Sequence, residues 1–142
     1  KSVDIARYQI DQGGACGICC QKVSEAEVMV AGGITDVLVS NQVVDPRKIA
    51  RLAQLAKNAR VLVCVDDLDN VEDLSAAATA EDATIECLVE IDCGAGRCGV
   101  KPGEAALAIA QKIESSAGLS FAGLQAYQGA AQHVRDYAVR RQ

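Results

Sequence analysis

Short runs of β-branched and aliphatic residues recur roughly every 25 to 30 residues, and the segments between them carry apolar residues at helical spacing. The runs are 36–40, 60–66, 84–92 and 119–127, with a weaker one at 15–20. The intervening segments have helix signals. Ser24 to Glu27 and Asp69 to Glu72 read as capping boxes, in which the first side chain accepts a backbone N–H and the Glu three residues on reaches back. Asp45-Pro46 and Lys101-Pro102 each put a proline in a first helical turn, where its missing N–H costs nothing. Gly32-Gly33 and Gly118 stand where helices should stop. Residues 2–12 predict one more helix, with Ile5, Tyr8 and Gln12 on one side.

An alternating helix and strand order with short connections demands right-handed crossovers, hence parallel strands covered by helices. The fold class is therefore α/β. Open doubly wound sheets and closed eight-stranded barrels share this rhythm, so periodicity alone does not choose between them. Half of the 142 residues are apolar, with one Phe, three Tyr and no Trp, which suits the aliphatic packing of a buried parallel sheet. Five strands cannot close an eight-stranded barrel, so on the barrel reading only about five β/α units are present and residues 1–142 are a partial barrel domain. A first residue that is Lys1 and not Met agrees with a piece of a longer protein.

Charge and cysteine content narrow the partners. The 14 Lys and Arg against 19 Asp and Glu give a formal charge of -5, and the only dense basic cluster is Arg135, Arg140 and Arg141. That balance argues against nucleic acid as a partner, and the three arginines read as a solvated helix face. No run of 18 apolar residues is present, so no membrane span is expected. The seven cysteines are an odd count and sit mostly inside aliphatic runs, which predicts reduced thiols in a cytoplasmic protein. Cys16-x-x-Cys19-Cys20 invites a zinc or redox reading, but no second pair completes a site, and Cys16, Cys20 and Cys64 are expected as small buried hydrophobes.

In parallel α/β folds ligands collect at the carboxyl ends of the strands. The polar residues that follow the apolar runs are Gln21, Ser40 with Asn41, Asp66 with Asp67, Asp92 through Arg97, and Tyr127 with Gln128. Each also fits an ordinary cap or turn position. The stretch Asp92 to Gly99 says most, because three glycines and an arginine directly follow an apolar run. Gly94-x-Gly96-x-x-Gly99 has the outward form of a dinucleotide-binding fingerprint. That fingerprint should open a helix at its second glycine and find an acid at the end of the next strand. Here the helix is expected near Pro102, and the next run ends Gln125-Ala126-Tyr127 without an acid. The other use of the glycines is to turn the chain tightly and present Arg97 at a barrel mouth, where its fork of donors grips a carboxylate or phenolate. An Arg97 simply paired with Asp92 or with a helix end is the structural alternative.

Val89 to Val100 resembles the strand and loop of the alanine racemase and D-threonine aldolase superfamily, in which an Asp, a Gly-rich turn and an Arg-x-Gly follow one another. Cys19 to Glu27, Asp36 to Asn41 and Gly123 to His133 are similar to the D-threonine aldolase branch. The resemblance implies a (β/α)8 TIM-type barrel of the alanine racemase N-terminal domain type, binding pyridoxal 5'-phosphate. It implies a metal-assisted lyase, working with Mn or Mg, that cleaves D-threonine and related D-3-hydroxy amino acids to glycine and an aldehyde, and a homodimer when full length. Arg97 matches the arginine near the cofactor's phenolic oxygen and the substrate carboxylate, and Tyr127 the position packed on the pyridine ring. Gln21, Asn41 and Asp66 match strand ends that line the pocket.

The resemblance also says what the chain does not carry. The family's Schiff-base lysine would lie just upstream of Lys1, and its metal ligands in a C-terminal β-domain, so residues 1–142 by themselves are expected to be inactive. Where relatives read Tyr-His-Gly this chain has Tyr127-Gln128-Gly129, which puts a proton-transfer role there in doubt. The only histidine, His133, is expected at the surface or behind the site and not as a catalytic group, because a lone His lacks a partner. The same scaffold also serves D-serine or 3-hydroxyaspartate dehydratases, amino-acid racemases and a non-enzymatic pyridoxal phosphate homeostasis protein.

Overall fold

The computed structural model describes residues 2–141. Lys1, expected to end the lysine motif, lies outside the described residues. Strands β1 (Ile18–Cys20), β2 (Asp36–Val39), β3 (Arg60–Val65), β4 (Ile85–Glu90) and β5 (Leu119–Gln125) alternate with helices α1 (Val3–Asp11), α2 (Val23–Ala31), α3 (Pro46–Leu55), α4 (Leu68–Ala80) and α5 (Glu104–Glu114). A 3-10 turn (Ala130–His133) and a short helix α6 (Tyr137–Arg141) follow.

All neighbouring strands pair in parallel, in the order β1-β2-β3-β4-β5. This order decides what periodicity could not. A doubly wound sheet reverses its strand order at a switch point, whereas a strictly sequential order with right-handed crossovers puts every helix on one face, as in a barrel wall.

That face holds the core. Val37, Val39, Val61, Val63, Val65, Ile85, Cys87 and Val89 pack against Ala26, Met29, Ile49, Leu52, Val71, Leu74, Ala78, Ile109 and Ile113. Side chains alternate along a strand, so Leu38 and Ser40, Leu62, Cys64 and Asp66, and Glu86, Leu88 and Glu90 belong to the opposite face. At the amino end of that face Arg60 bridges Asp36 at 2.9 Å and Glu86 at 2.6 Å. The middle is apolar, and the carboxyl end is polar.

The Arg60 guanidinium holds the Glu86 carboxyl below its ordinary value of 4.5. A depressed carboxylate contributes stability above its unfolded value and loses it as pH falls through the folded value. Glu86→Gln is therefore expected to lower stability at pH 7 by about 1 kcal/mol, with the difference from wild type vanishing in acid below the native-state value. Urea midpoints measured from pH 7 to pH 3 check this; a difference that persists in acid would assign the loss to packing.

Several helix expectations shift. Asp45 caps α3 as expected, accepting from Arg47 N and Lys48 N, with Pro46 in the first turn. The two capping boxes are displaced. Asp67, not Asp69, caps α4 and accepts from Asp69 N and Asn70 N, because β3 ends only two residues earlier and leaves Asp67 extended. Lys22, not Ser24, is the cap position of α2, and Glu25 instead accepts from Gln21 N at 2.7 Å. Helix α5 starts at Glu104 and not at Pro102, since Gly103 at φ 101° interrupts the helical path.

Helix α1 also turns a different face inward. Val3, Ala6 and Ile10 pack inward, while Ile5 and Tyr8 stay 62% and 69% exposed. Gly32 on the neighbouring α2 explains the choice, because a Cβ there would lie 2.6 Å from the Val3 methyls. The Arg7 guanidinium donates to the Gly32 carbonyl at the same contact.

Cys20 and Cys64 are buried as expected, and Cys87 is buried too, but Cys16 is exposed, because its segment is a loop that precedes β1. Burial pushes the Cys64 and Cys87 thiols up to about 12, so both stay protonated at neutral pH. No helix among the described residues is long and apolar enough to cross a membrane.

Candidate functional site

The loop after β4 is closed on itself. Ile91 and Val100 form a parallel bridge, and the Asp92 carboxylate accepts from Gly94 N and Gly96 N, each at 3.0 Å. Those two N–H groups hold the Asp92 carboxyl below the ordinary carboxylate range. The amides that a dinucleotide fingerprint would offer to a diphosphate are thus occupied by the protein's own carboxylate, and α5 begins eight residues beyond Gly96, behind Gly103. The glycines here serve the turn.

Gly99 fixes where the loop returns. Its φ is +99°, and a Cβ on it would lie 2.6 Å from Asp92 N and 2.7 Å from the Ile91 carbonyl carbon. The close approach lets Gly99 N donate to Asp66 Oδ2 at 2.8 Å. The loop is thereby tied to the ends of both β3 and β4, with Arg97 at its exposed turn.

Arg97 points to a cleft of about 290 Å³ at the carboxyl ends of the strands, lined also by Cys19, Gln21, Ser40, Asn41, Gln125 and Tyr127. Its guanidinium carbon lies 5.8 Å from the centroid of the Tyr127 ring, within cation–π range. On its other side Nη2 stands 3.6 Å from Glu90 Oε1. Asn41 Nδ2 donates to the Gln21 carbonyl at 2.8 Å, joining the ends of β1 and β2. A larger apolar groove of about 570 Å³ between α1 and β1 contains none of the candidate residues.

Four of the five sequence-derived candidates, Gln21, Asn41, Arg97 and Tyr127, meet in one cleft. Asp66 does not line it; its carboxylate is committed to the loop amide of Gly99. Gln128 turns its amide oxygen to Ala130 N at 3.1 Å, and His133 is exposed outside the cleft. Arg97 pairs with Glu90 and not with Asp92. Sequence reasoning passed over Glu90, and the signal available was a second acid in the run, placed between the apolar Val89 and Ile91 at its carboxyl end.

The family model described as alanine racemase, N-terminal domain, matches residues 2–142. The chain is 54% identical over 142 residues to the 3-hydroxy-D-aspartate aldolase of Paracoccus denitrificans (strain Pd 1222), covering 99% of this chain and 37% of that protein. It is 52% identical to the D-threonine aldolase of an Arthrobacter species, over 95% of this chain and 35% of the relative. The crystal structure of D-threonine aldolase from Filomicrobium marinum superposes with a TM-score of 0.94 at 54% identity, over 98% of this chain and 37% of that one. The chain thus spans little more than a third of the length of the proteins it matches. A match over nearly every residue, together with a sequential parallel sheet that carries Arg97 at its carboxyl end, shows that the chain belongs to the alanine racemase N-terminal domain family.

Proposed function

We propose that residues 1–142 are part of the pyridoxal-phosphate-binding barrel of a metal-assisted lyase that cleaves D-threonine, 3-hydroxy-D-aspartate and related D-3-hydroxy amino acids to glycine and an aldehyde. The observation that carries this reading is the pairing of the Arg97 guanidinium with the Tyr127 ring, 5.8 Å apart, in a cleft at the strand ends. The relatives named above, at 54% and 52% identity, supply the reaction class and the two substrates.

The residues present fit such a cofactor. Arg97 makes no side-chain hydrogen bond among the described residues, so its remaining N–H donors are available to an anionic oxygen, either a phenolate or a substrate carboxylate. Tyr127 offers an aromatic surface at the same mouth for a flat ring. Gln21 and Asn41 close the side of the cleft with polar groups that orient a small amino acid. When bound, pyridoxal phosphate supplies an electron sink for the pair of electrons left by cleavage of the Cα–Cβ bond. In this reading Arg97 and Tyr127 bind and orient, and neither carries a proton.

The lysine that holds the cofactor and the ligands of a divalent metal, Mn or Mg, are assigned to the remainder of a longer, cytoplasmic and homodimeric protein. With that longer protein, D-threonine is expected to yield glycine and an aldehyde. Accumulation of a 2-oxo acid would instead indicate a dehydratase, and L-allo-threonine, the product of inversion at Cα alone, a racemase. Binding of pyridoxal phosphate with no product from any D-3-hydroxy amino acid would favour a homeostasis protein and overturn the lyase reading.

A further inference from the structure

Glu90 is the last residue of β4 and is 3% exposed. A carboxylate this deeply buried persists only where its oxygens are met. Gln42, in the connection between β2 and α3, donates Nε2 to Glu90 Oε2 at 2.7 Å. The other oxygen, Oε1, stands 3.6 Å from Arg97 Nη2, which is an ion pair and too long for a hydrogen bond. The two partners differ sharply in exposure: the Arg97 side chain is 55% exposed and Glu90 only 4%. One charge is fixed in the protein and the other reaches into the cleft.

The neighbouring acids cannot take this place. Asp92 spends its carboxylate on Gly94 N and Gly96 N, and Asp66 on Gly99 N. Glu90 is buried and is not among the residues that line the cleft, so its part is played through Arg97.

We propose that Glu90 is the positioning residue for Arg97: clamped by Gln42, its buried carboxylate anchors the guanidinium at the mouth, and so sets how tightly an anionic oxygen is gripped there. This rests on the reading of Arg97 as a cofactor-binding residue. The loop backbone is tied down through Asp92 and Asp66, but the Arg97 side chain is half exposed, and Glu90 on the sheet supplies its ion-pair anchor.

The test is a double-mutant cycle in the longer protein, with the dissociation constant of pyridoxal phosphate read from its absorbance. Glu90→Gln keeps the volume and removes the charge. It is expected to weaken binding about tenfold when Arg97 is present and less than about twofold in an Arg97→Ala background. Glu90→Asp should recover part of the loss. The same loss in both backgrounds, or no loss in either, overturns the proposal. Gln42→Ala removes the clamp from a different element and is expected to weaken binding about threefold, again only with Arg97 present; it decides the matter if Glu90→Gln does not accumulate, and an unchanged constant would count against the proposal. A wild-type protein that does not bind pyridoxal phosphate would refute the functional reading itself, whereas normal wild-type binding with an additive cycle would refute only the role of Glu90.

Discussion

Arg97→Ala is expected to lower kcat/KM of the longer protein for D-threonine about 100-fold, a loss of about 2.7 kcal/mol of transition-state stabilisation. The size follows from the kind of contact. A guanidinium facing an anionic oxygen makes charge-assisted hydrogen bonds, and among the described residues lining the cleft Arg97 is the one positive group. Arg97→Lys should regain only part of the loss, since an ammonium lacks the planar fork and reaches less well over the Tyr127 ring. Steady-state kinetics on the three proteins check this, alongside urea midpoints to show that folding is intact. Equal kcat/KM for wild type and Arg97→Ala would remove Arg97 from the site.

Gly99→Ala is expected to cost about 3 kcal/mol of stability, combining a strained positive φ with steric overlap. Both causes are visible at one atom. The new Cβ would meet Asp92 N at 2.6 Å and the Ile91 carbonyl carbon at 2.7 Å, and both are backbone atoms that cannot swing aside. Relief would require the loop to lift from β4, breaking the 2.8 Å bond from Gly99 N to Asp66. Arg97, two residues away, would move with it. The variant should therefore lower both the urea midpoint and the affinity for pyridoxal phosphate. Gly96→Ala is the control: its φ is +61°, yet no atom lies within 4 Å of the added Cβ. A Gly99→Ala midpoint equal to that of Gly96→Ala would show that the close approach carries no stability.

The strands were legible in the sequence because runs such as Val61 to Val65 are apolar at every position, as a sheet covered by helices requires. The helix starts were legible only to within two residues. Asp67 and Asp69 are chemically equal candidates for a cap, and the choice between them follows from where β3 ends, which is a property of the sheet. The same limit hid the inner face of α1. Ile5 and Tyr8 look like a buried pair, but the contact is set by Gly32 on another helix, which admits Val3.

The site divides in the same way. Arg97 stood out as a charge set in a glycine-rich turn after an apolar run, and the resemblance to the D-threonine aldolase branch singled out Tyr127 beside it. The partner of Arg97 did not. Asp92 is nearer in sequence, but the amides of Gly94 and Gly96 claim its carboxylate, which leaves Glu90 at the end of β4 to meet the guanidinium. Asp66 looked like a pocket residue for its place after β3, and only the return path of the loop shows its carboxylate engaged by Gly99.

The unbroken strand order has a consequence for how the molecule is made. Each strand finds its sheet neighbour in the stretch of polypeptide immediately preceding it, so pairing keeps pace with elongation on the ribosome and needs no later segment to insert between earlier ones. The growing rim is always the newest strand. At any moment of synthesis one freshly emerged edge awaits the next unit, and a pause in translation between units would lengthen the exposure of that edge to other nascent chains.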